Sequence, residues 1–272
     1  MRTLYRILDW CETNRVDVFL TQQWTGVEWN KLPGRDAITS APKSVEDFAE
    51  GLSTLTGHLL NTRKYTCIRW LCIANEPESN WWMGGCPILD GIRATRKALD
   101  AKGIALPLSG PDSVNGIPYK GLPPDGEFDN YVGAYDTHTY NNVKDRHALF
   151  ATWSAVAHAR KKPFFLSEFG INPPWGDRPK SYDAVLHGAE TVMGGLAVGV
   201  DGFNRWSFLN RGDIDGQWQL VRTWDIGKTT YLAEAVPEPV PYMGYAMLTR
   251  FTAKHSELLD CRVAGDARER KQ

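Results

Sequence analysis

The chain has 272 residues, 42% of them hydrophobic and 23% charged, with a formal net charge of −1. That is ordinary globular composition, in a length that suits one α/β domain of about 250 residues. The near-zero balance argues against a nucleic-acid or anionic-membrane partner, and no run of about 18 apolar residues exists to span a bilayer.

Taken in order, Leu4, Ile7, Leu8 and Cys11 lay a helical stripe over residues 2–14, and Asn14 can end it. Val16–Leu20 then reads as a strand, with Gln22, Gln23 and Trp24 at its carboxyl end. The loop to residue 43 is rich in Gly, Pro and Trp, and its length favours a functional role over a bare connection. Ser44 and Asp47 form a capping box ahead of Val45, Phe48, Leu52, Leu55 and Leu59, spaced by threes and fours. Next comes Ile68-Arg-Trp-Leu-Cys-Ile-Ala74, an apolar run closing on Asn75-Glu76-Pro77. A near-continuous apolar run marks a parallel strand covered on both faces, and functional groups collect at the carboxyl ends of such strands.

A helix is expected from about Pro87 to Lys102, with Pro87 in the first turn and Gly103 as the stop. Leu106–Ser109 is a short strand leading to Gly110-Pro111-Asp112, and Tyr131–Tyr140 a longer one carrying His138 and Tyr140 at its end. A helix over 147–160 leads into Pro163-Phe-Phe-Leu-Ser-Glu168-Phe-Gly170, a second buried strand closing on a glutamate. Ser181 caps another helix, and Val200–Trp206 is the last strand of the series. Asn210–Gly216 resembles part of a calcium loop but lacks the later bidentate Glu; a β-turn before an alternating strand Gln217–Trp224 suits it better. A final helix near 242–254 precedes a charged tail, 261–272.

Strands alternating with helices, with no linker between them, argue a parallel sheet with crossovers. No strand is followed by G-x-G-x-x-G or by a phosphate-binding G-x-x-x-x-G-K, which disfavours a doubly wound nucleotide-binding sheet and favours a (β/α)₈ barrel. Two glutamates at two strand ends suggest carboxylate-pair chemistry. The five cysteines (11, 67, 72, 86, 261) share no ligand-like spacing, and Cys67 and Cys72 read as small buried hydrophobes. No metal or other cofactor is expected.

At this point the residues resemble clan A of the glycoside hydrolases, the cellulase and β-mannanase superfamily. Asn75-Glu76 resembles the pair ending the clan's fourth strand, His138-Thr-Tyr140 its His-x-Tyr at strand six, Glu168 its strand-seven glutamate and Trp206 its strand-eight aromatic. The resemblance covers roughly residues 15–255. It implies a TIM-barrel fold and retaining hydrolysis of a β-linked glycan, with Glu76 as acid/base and Glu168 as nucleophile. By the same likeness Tyr140 would donate to Glu168, Asn75 would bind the sugar 2-hydroxyl and Trp206 would floor a subsite. His138 would either contact sugar or bond the backbone at the rim. Trp24 is a further stacking candidate, as are Trp81, Trp82 and Trp175, each balanced against loop packing.

Counted back from strand four, Val16–Leu20 is strand three, so residues 1–260 are expected to form an incomplete catalytic barrel of about six of eight strands. On that expectation the chain alone is poorly soluble and catalytically silent. The partner implied is an oligo- or polysaccharide, with no nucleic acid and no membrane. A carbohydrate-binding barrel that has lost catalysis is the main alternative.

Overall fold

The computed structural model describes residues 1–22, 28–37, 40–77, 88–114, 124, 126–140, 145–171, 181–209, 218–225, 227–252, 256, 257 and 259. Helix α1 (Arg2–Asn14) ends at Arg15 in the left-handed region, φ 57°. Strand β1 (Val18–Thr21) starts two residues later than the apolar run suggests. Helix α2 (Val45–Gly57) opens on Ser44, whose hydroxyl accepts the Asp47 N–H at 3.0 Å, and widens into a π turn over His58–Thr62. There follow β2 (Ile68–Cys72), α3 (Ile88–Ala101), β3 (Leu108–Val114), β4 (Ala134–Thr139), α4 (Arg146–Ala159) and β5 (Phe164–Phe169). Helix α5 (Tyr182–Ala197) takes Ser181 as its cap and leads to β6 (Gly202–Arg205). An antiparallel hairpin, β7 (Val221–Asp225) with β8 (Thr230–Pro237), precedes α6 (Pro239–Phe251).

The six strands β1 to β6 form one parallel sheet in strict sequence order. A doubly wound sheet reverses its order at a switch point, whereas a barrel winds one way. This is barrel winding. The sheet also curls: the Phe19 ring of β1 meets the Phe165 ring of β5 edge-on, 6.1 Å between centroids, although three strands lie between them. Trp70 of β2 joins them, 5.3 Å from Phe165. The architecture is thus a curled half-barrel with helices between its strands.

Alternation along each strand sorts the two faces. On β5, Phe164 and Leu166 point outward into a core shared with Phe150 and Trp153 of α4. Phe165, Ser167 and Glu168 are only half-buried, on the concave side or at its rim. The outer core continues through Leu8, Phe48, Leu52, Leu71, Ile92, Leu99 and Leu108, joining α1, α2 and α3 to the sheet. Cys67 is buried in it, as expected of a small apolar side chain, whereas Cys72 is buried beside the Asp112 and Asp136 carboxylates.

Besides the late start of β1, the final helix begins at Pro239 where a start near 242 was expected, and two strands depart further from the sequence reading. Strand β3 runs through Gly110-Pro111-Asp112 to Val114 instead of ending at Ser109, with a register shift against β4 between Gly110 and Ser113. Irregular pairing lets a proline sit inside a strand. Strand β8 was not anticipated, because Thr230–Pro237 is largely solvent-exposed and lacks an apolar face. Among the described residues no helix is long and apolar enough to cross a membrane. Asn210–Gly216 and the tail from 261 lie outside the described residues.

Candidate active site

Glu76 lies four residues beyond the end of β2. Its backbone is in the left-handed region, φ 45°, which an ordinary side chain occupies only when its surroundings hold it there. The tether is visible: the Glu76 N–H donates to the Asp112 carbonyl at 3.2 Å. Glu168 is the penultimate residue of β5, paired with His138 of β4 in the sheet register.

His138 is buried among acidic groups on, or just after, three other strands. Its Nδ1 is 2.8 Å from Glu76 Oε1 and 3.8 Å from Glu168 Oε1, and its Nε2 is 3.0 Å from Asp112 Oδ1. The Tyr140 hydroxyl donates to Glu168 Oε1. One oxygen of Glu76, one of Glu168 and a ring nitrogen of His138 all lie within 4.8 Å of one another. That spacing could hold a cation. Both ring nitrogens face carboxylate oxygens, however, which is the arrangement of a two-sided donor rather than of a lone pair offered to an ion.

Electrostatics follow from burial inside this acidic nest. Burial pulls the His138 pKa down, but the charges of Asp112 and Glu168 and the bonds to Asp112 and Glu76 outweigh it, leaving the imidazole well above its usual range. Burial pushes Glu168 above the usual carboxylate range; the His138 charge and the Tyr140 hydroxyl work against that rise. Burial, then the Glu168 charge, likewise pushes the Tyr140 phenol up, so it remains a donor.

Beneath these groups lies a layer not singled out from sequence. Asp112 Oδ1 also accepts the Ser167 hydroxyl at 2.6 Å, and the Asp112 N–H donates to Asp136 Oδ1 at 2.6 Å. Burial, then the Asp112 charge, raises Asp136 well above the carboxylate range. The only sequence signal for Asp112 was its place after Gly110-Pro111 near a strand end.

Trp206 follows β6, half-buried, with its N–H on the Phe169 carbonyl at 3.0 Å and a cis peptide to Ser207. Gly170 permits this approach: a Cβ there would stand 3.1 Å from the Trp206 carbonyl and 3.2 Å from the Tyr140 ring. Arg205 binds the carbonyls of Trp206, Ser207 and Trp218 at 3.2, 3.3 and 2.7 Å; burial lowers its pKa to about 10. Asn75, Asp112, His138, Glu168 and Trp206 line a cavity of about 430 Å³ that continues along Phe19 and Val18 to Ile7 and Cys11 of α1. The structure therefore brings Asn75, Glu76, His138, Tyr140, Glu168 and Trp206 to one end of one sheet. Tyr140, expected from sequence to donate to Glu168, does so, whereas His138, expected to contact sugar or bond the backbone, is buried with its ring nitrogens turned to the carboxylates. Trp24, Trp81, Trp82 and Trp175 lie outside the described residues.

No protein-family profile matches the sequence, and no curated protein matches it. Solved structures do match. A GH39 enzyme from Xanthomonas axonopodis pv. citri superposes with a TM-score of 0.61 at 14% identity, over 92% of this chain and 55% of that one. An exo-β-1,4-mannosidase from Opitutaceae bacterium strain TAV5 gives 0.62 at 17% identity, over 89% and 47%. A GH39 β-xylosidase from Caulobacter crescentus gives 0.52 at 15%, over 71% and 45%. The chain spans about half the length of each of these structures. It shares the barrel-type fold of these structures, over a half-barrel of six parallel strands.

Proposed function

We propose that the site is the carboxylate pair of a retaining glycoside hydrolase acting on a β-linked glycan. One observation carries this reading: Glu76 and Glu168 meet the same imidazole nitrogen, with an oxygen of each within 4.8 Å of the other. Retention needs carboxyl groups about 5–5.5 Å apart, and inversion about 6.5–9.5 Å to admit a water. The short gap suits direct attack. The β-xylosidase and β-mannosidase names of two structural neighbours agree with a β-glycoside, without choosing a sugar.

In the first step Glu168 attacks the anomeric carbon while the bond from that carbon to the leaving oxygen breaks. Glu76 gives that oxygen its proton. In the second step Glu76 takes a proton from water, the water oxygen attacks the same carbon, and the ester to Glu168 is cleaved. Glu76 Oε1 faces His138, which leaves Oε2 to carry the transferred proton. Tyr140 and His138 favour the ionised form of Glu168 against the pull of burial. Asn75 bonds the sugar 2-hydroxyl, and Trp206 and Trp24 supply flat surfaces for sugar rings.

The test is trapping. The chain is incubated with activated 2-deoxy-2-fluoro β-glycosides of the gluco, manno and xylo series, digested and examined by mass spectrometry. A fluoroglycosyl adduct on the peptide containing Glu168 is the expected outcome once further βα units cover the open β1 edge; the 272-residue chain alone is expected to be silent. Oligosaccharide binding without any adduct would favour the silent carbohydrate-binding barrel.

A further inference from the structure

Asp112 makes four contacts that no other residue near the site combines. Its carboxylate takes His138 Nε2 at 3.0 Å and the Ser167 hydroxyl at 2.6 Å, next in sequence to Glu168. Its carbonyl holds the Glu76 N–H at 3.2 Å, and its own N–H is fixed by Asp136 at 2.6 Å. It is almost fully buried, and its backbone sits in the left-handed region at φ 59°, so the conformation is imposed by these contacts. We infer that Asp112 is the positioning residue of the site: it holds His138 as a donor at both ring nitrogens, so that one imidazolium spans Glu76 and Glu168. This rests on the glycosidase reading for its catalytic consequence, but not for its structural content.

The physical argument is one of pairing. A neutral imidazole has one N–H and could satisfy only one of its two sides here. With Asp112 on Nε2, that proton is committed to Asp112, and Nδ1 then faces Glu76 and Glu168 as a bare lone pair unless the ring is protonated. Lone pair against carboxylate is repulsive, so the charged ring is the form that satisfies every neighbour. The groups facing the ring are Glu76 after β2, Asp112 on β3 and Glu168 on β5; Asp136 lies on its own strand and Tyr140 just past that strand's end, and Arg205 on β6 stands beyond Tyr140. Acidic neighbours outnumber that single cation. Burial opposes the charged ring, but the charges of Asp112 and Glu168 and the bonds to Asp112 and Glu76 outweigh it and lift the imidazole above its usual range.

The experiment is ¹⁵N NMR of the histidine rings in the unmodified 272-residue chain, with the His138 signals identified by their loss in His138→Gln. At pH 8 the expected result is two protonated ring nitrogens for His138, while an ordinary histidine, with a pKa near about 6.5, is neutral. The spectrum of a neutral ring at pH 8 overturns the inference without any variant. In Asp112→Asn the amide keeps the shape and an acceptor but removes the charge, and the midpoint should fall by about one to three pH units. An unmoved midpoint in a folded Asp112→Asn protein overturns it equally. Where turnover is measurable, Asp112→Asn should lower kcat about 10- to 100-fold with little change in KM, and add an alkaline limb that tracks the His138 titration. A charged, Asp112-dependent ring in a protein that never forms a glycosyl adduct supports the positioning role and rejects the glycosidase reading.

Discussion

The Tyr140 hydroxyl donates to Glu168 Oε1, the same oxygen that lies 3.8 Å from His138 Nδ1. Glu168 thus has one hydroxyl donor and an imidazole close by, and both oppose the upward push of burial. A nucleophile must be ionised, so its rate rises as pH rises through its pKa. Tyr140→Phe keeps the ring and removes one donor, leaving Glu168 higher still. The acidic limb of kcat/KM should move to higher pH, and kcat should fall about 10- to 150-fold, the equivalent of about 1.5–3 kcal/mol for a hydrogen bond to a charged group. An unchanged pH profile would remove Tyr140 from the mechanism.

The two glutamates should separate by substrate. Glu168→Ala is expected to abolish turnover of activated and natural glycosides alike. Glu76→Ala should spare glycosylation by substrates with good leaving groups, since these need no proton, and azide should partly restore its turnover. Product configuration checks the assignment: azide rescue of Glu168→Ala to a retained product, with none for Glu76→Ala, would reverse the two roles.

How much of this was open to sequence reading depended on whether the signal was local. Apolar runs closing on Glu76 and Glu168, and the caps at Ser44 and Ser181, are decided within a few residues of chain, and the elements that carry them lie close to where they were expected. The order of strands was not local, but the missing glycine-rich turns narrowed it to the barrel winding observed. Asp112 was out of reach because its importance lies in contacts to residues 26, 36 and 55 positions away. The extension of β3 was hidden for a related reason: Gly-Pro-Asp spells a turn, and only pairing with β4 draws it into the sheet.

Glu12 ties the end of α1 to the start of β2 and should set an acid limit on stability. Its carboxylate accepts the Thr66 hydroxyl and the backbone N–H groups of Thr66 and Cys67, both at 2.8 Å. Those bonds, the Thr66 hydroxyl first, hold its pKa down at about 2. A carboxyl with a depressed folded-state pKa stabilises above its unfolded value, and the contribution is lost as pH falls through the folded one. Glu12→Gln should therefore melt at a lower temperature than the parent at pH 7. The gap should narrow below about pH 4.5 and close near pH 2. A gap constant with pH would mean that the side chain acts by packing alone.

Helices α5 and α6 cross where Gly244 meets Val185. A Cβ at position 244 would stand 2.1 Å from Val185 Cγ1, closer than any real contact. Gly244→Ala should destabilise by about 1–3 kcal/mol through overpacking, measured by urea unfolding. Pairing it with Val185→Ala frees the space, and the double variant should recover most of the loss. Additive losses would place the helices further apart than the structure has them.

Self-association should begin at the β1 side of the sheet. Among the described residues β1 pairs only with β2, and the cavity behind it runs out to α1. Ile7 and Trp10 of α1 are 56% and 60% exposed, and Val16 just before β1 is 40% exposed. An edge strand flanked by bare apolar side chains is a template for pairing with another chain. The 272-residue chain, prepared alone, should elute from a sizing column above its 30.6 kDa monomer mass or as aggregate. Ile7→Glu with Trp10→Glu replaces the two most exposed of these apolar groups by charge, without touching the strands or the carboxylates, and should shift the profile toward monomer. Covering that same edge with further βα units, supplied as upstream sequence or as a separate polypeptide, should do so too and raise any glycosidase activity together with solubility. A wild-type chain that elutes as a monomer at high concentration would show that the β1 edge is protected in a way these exposures do not reveal.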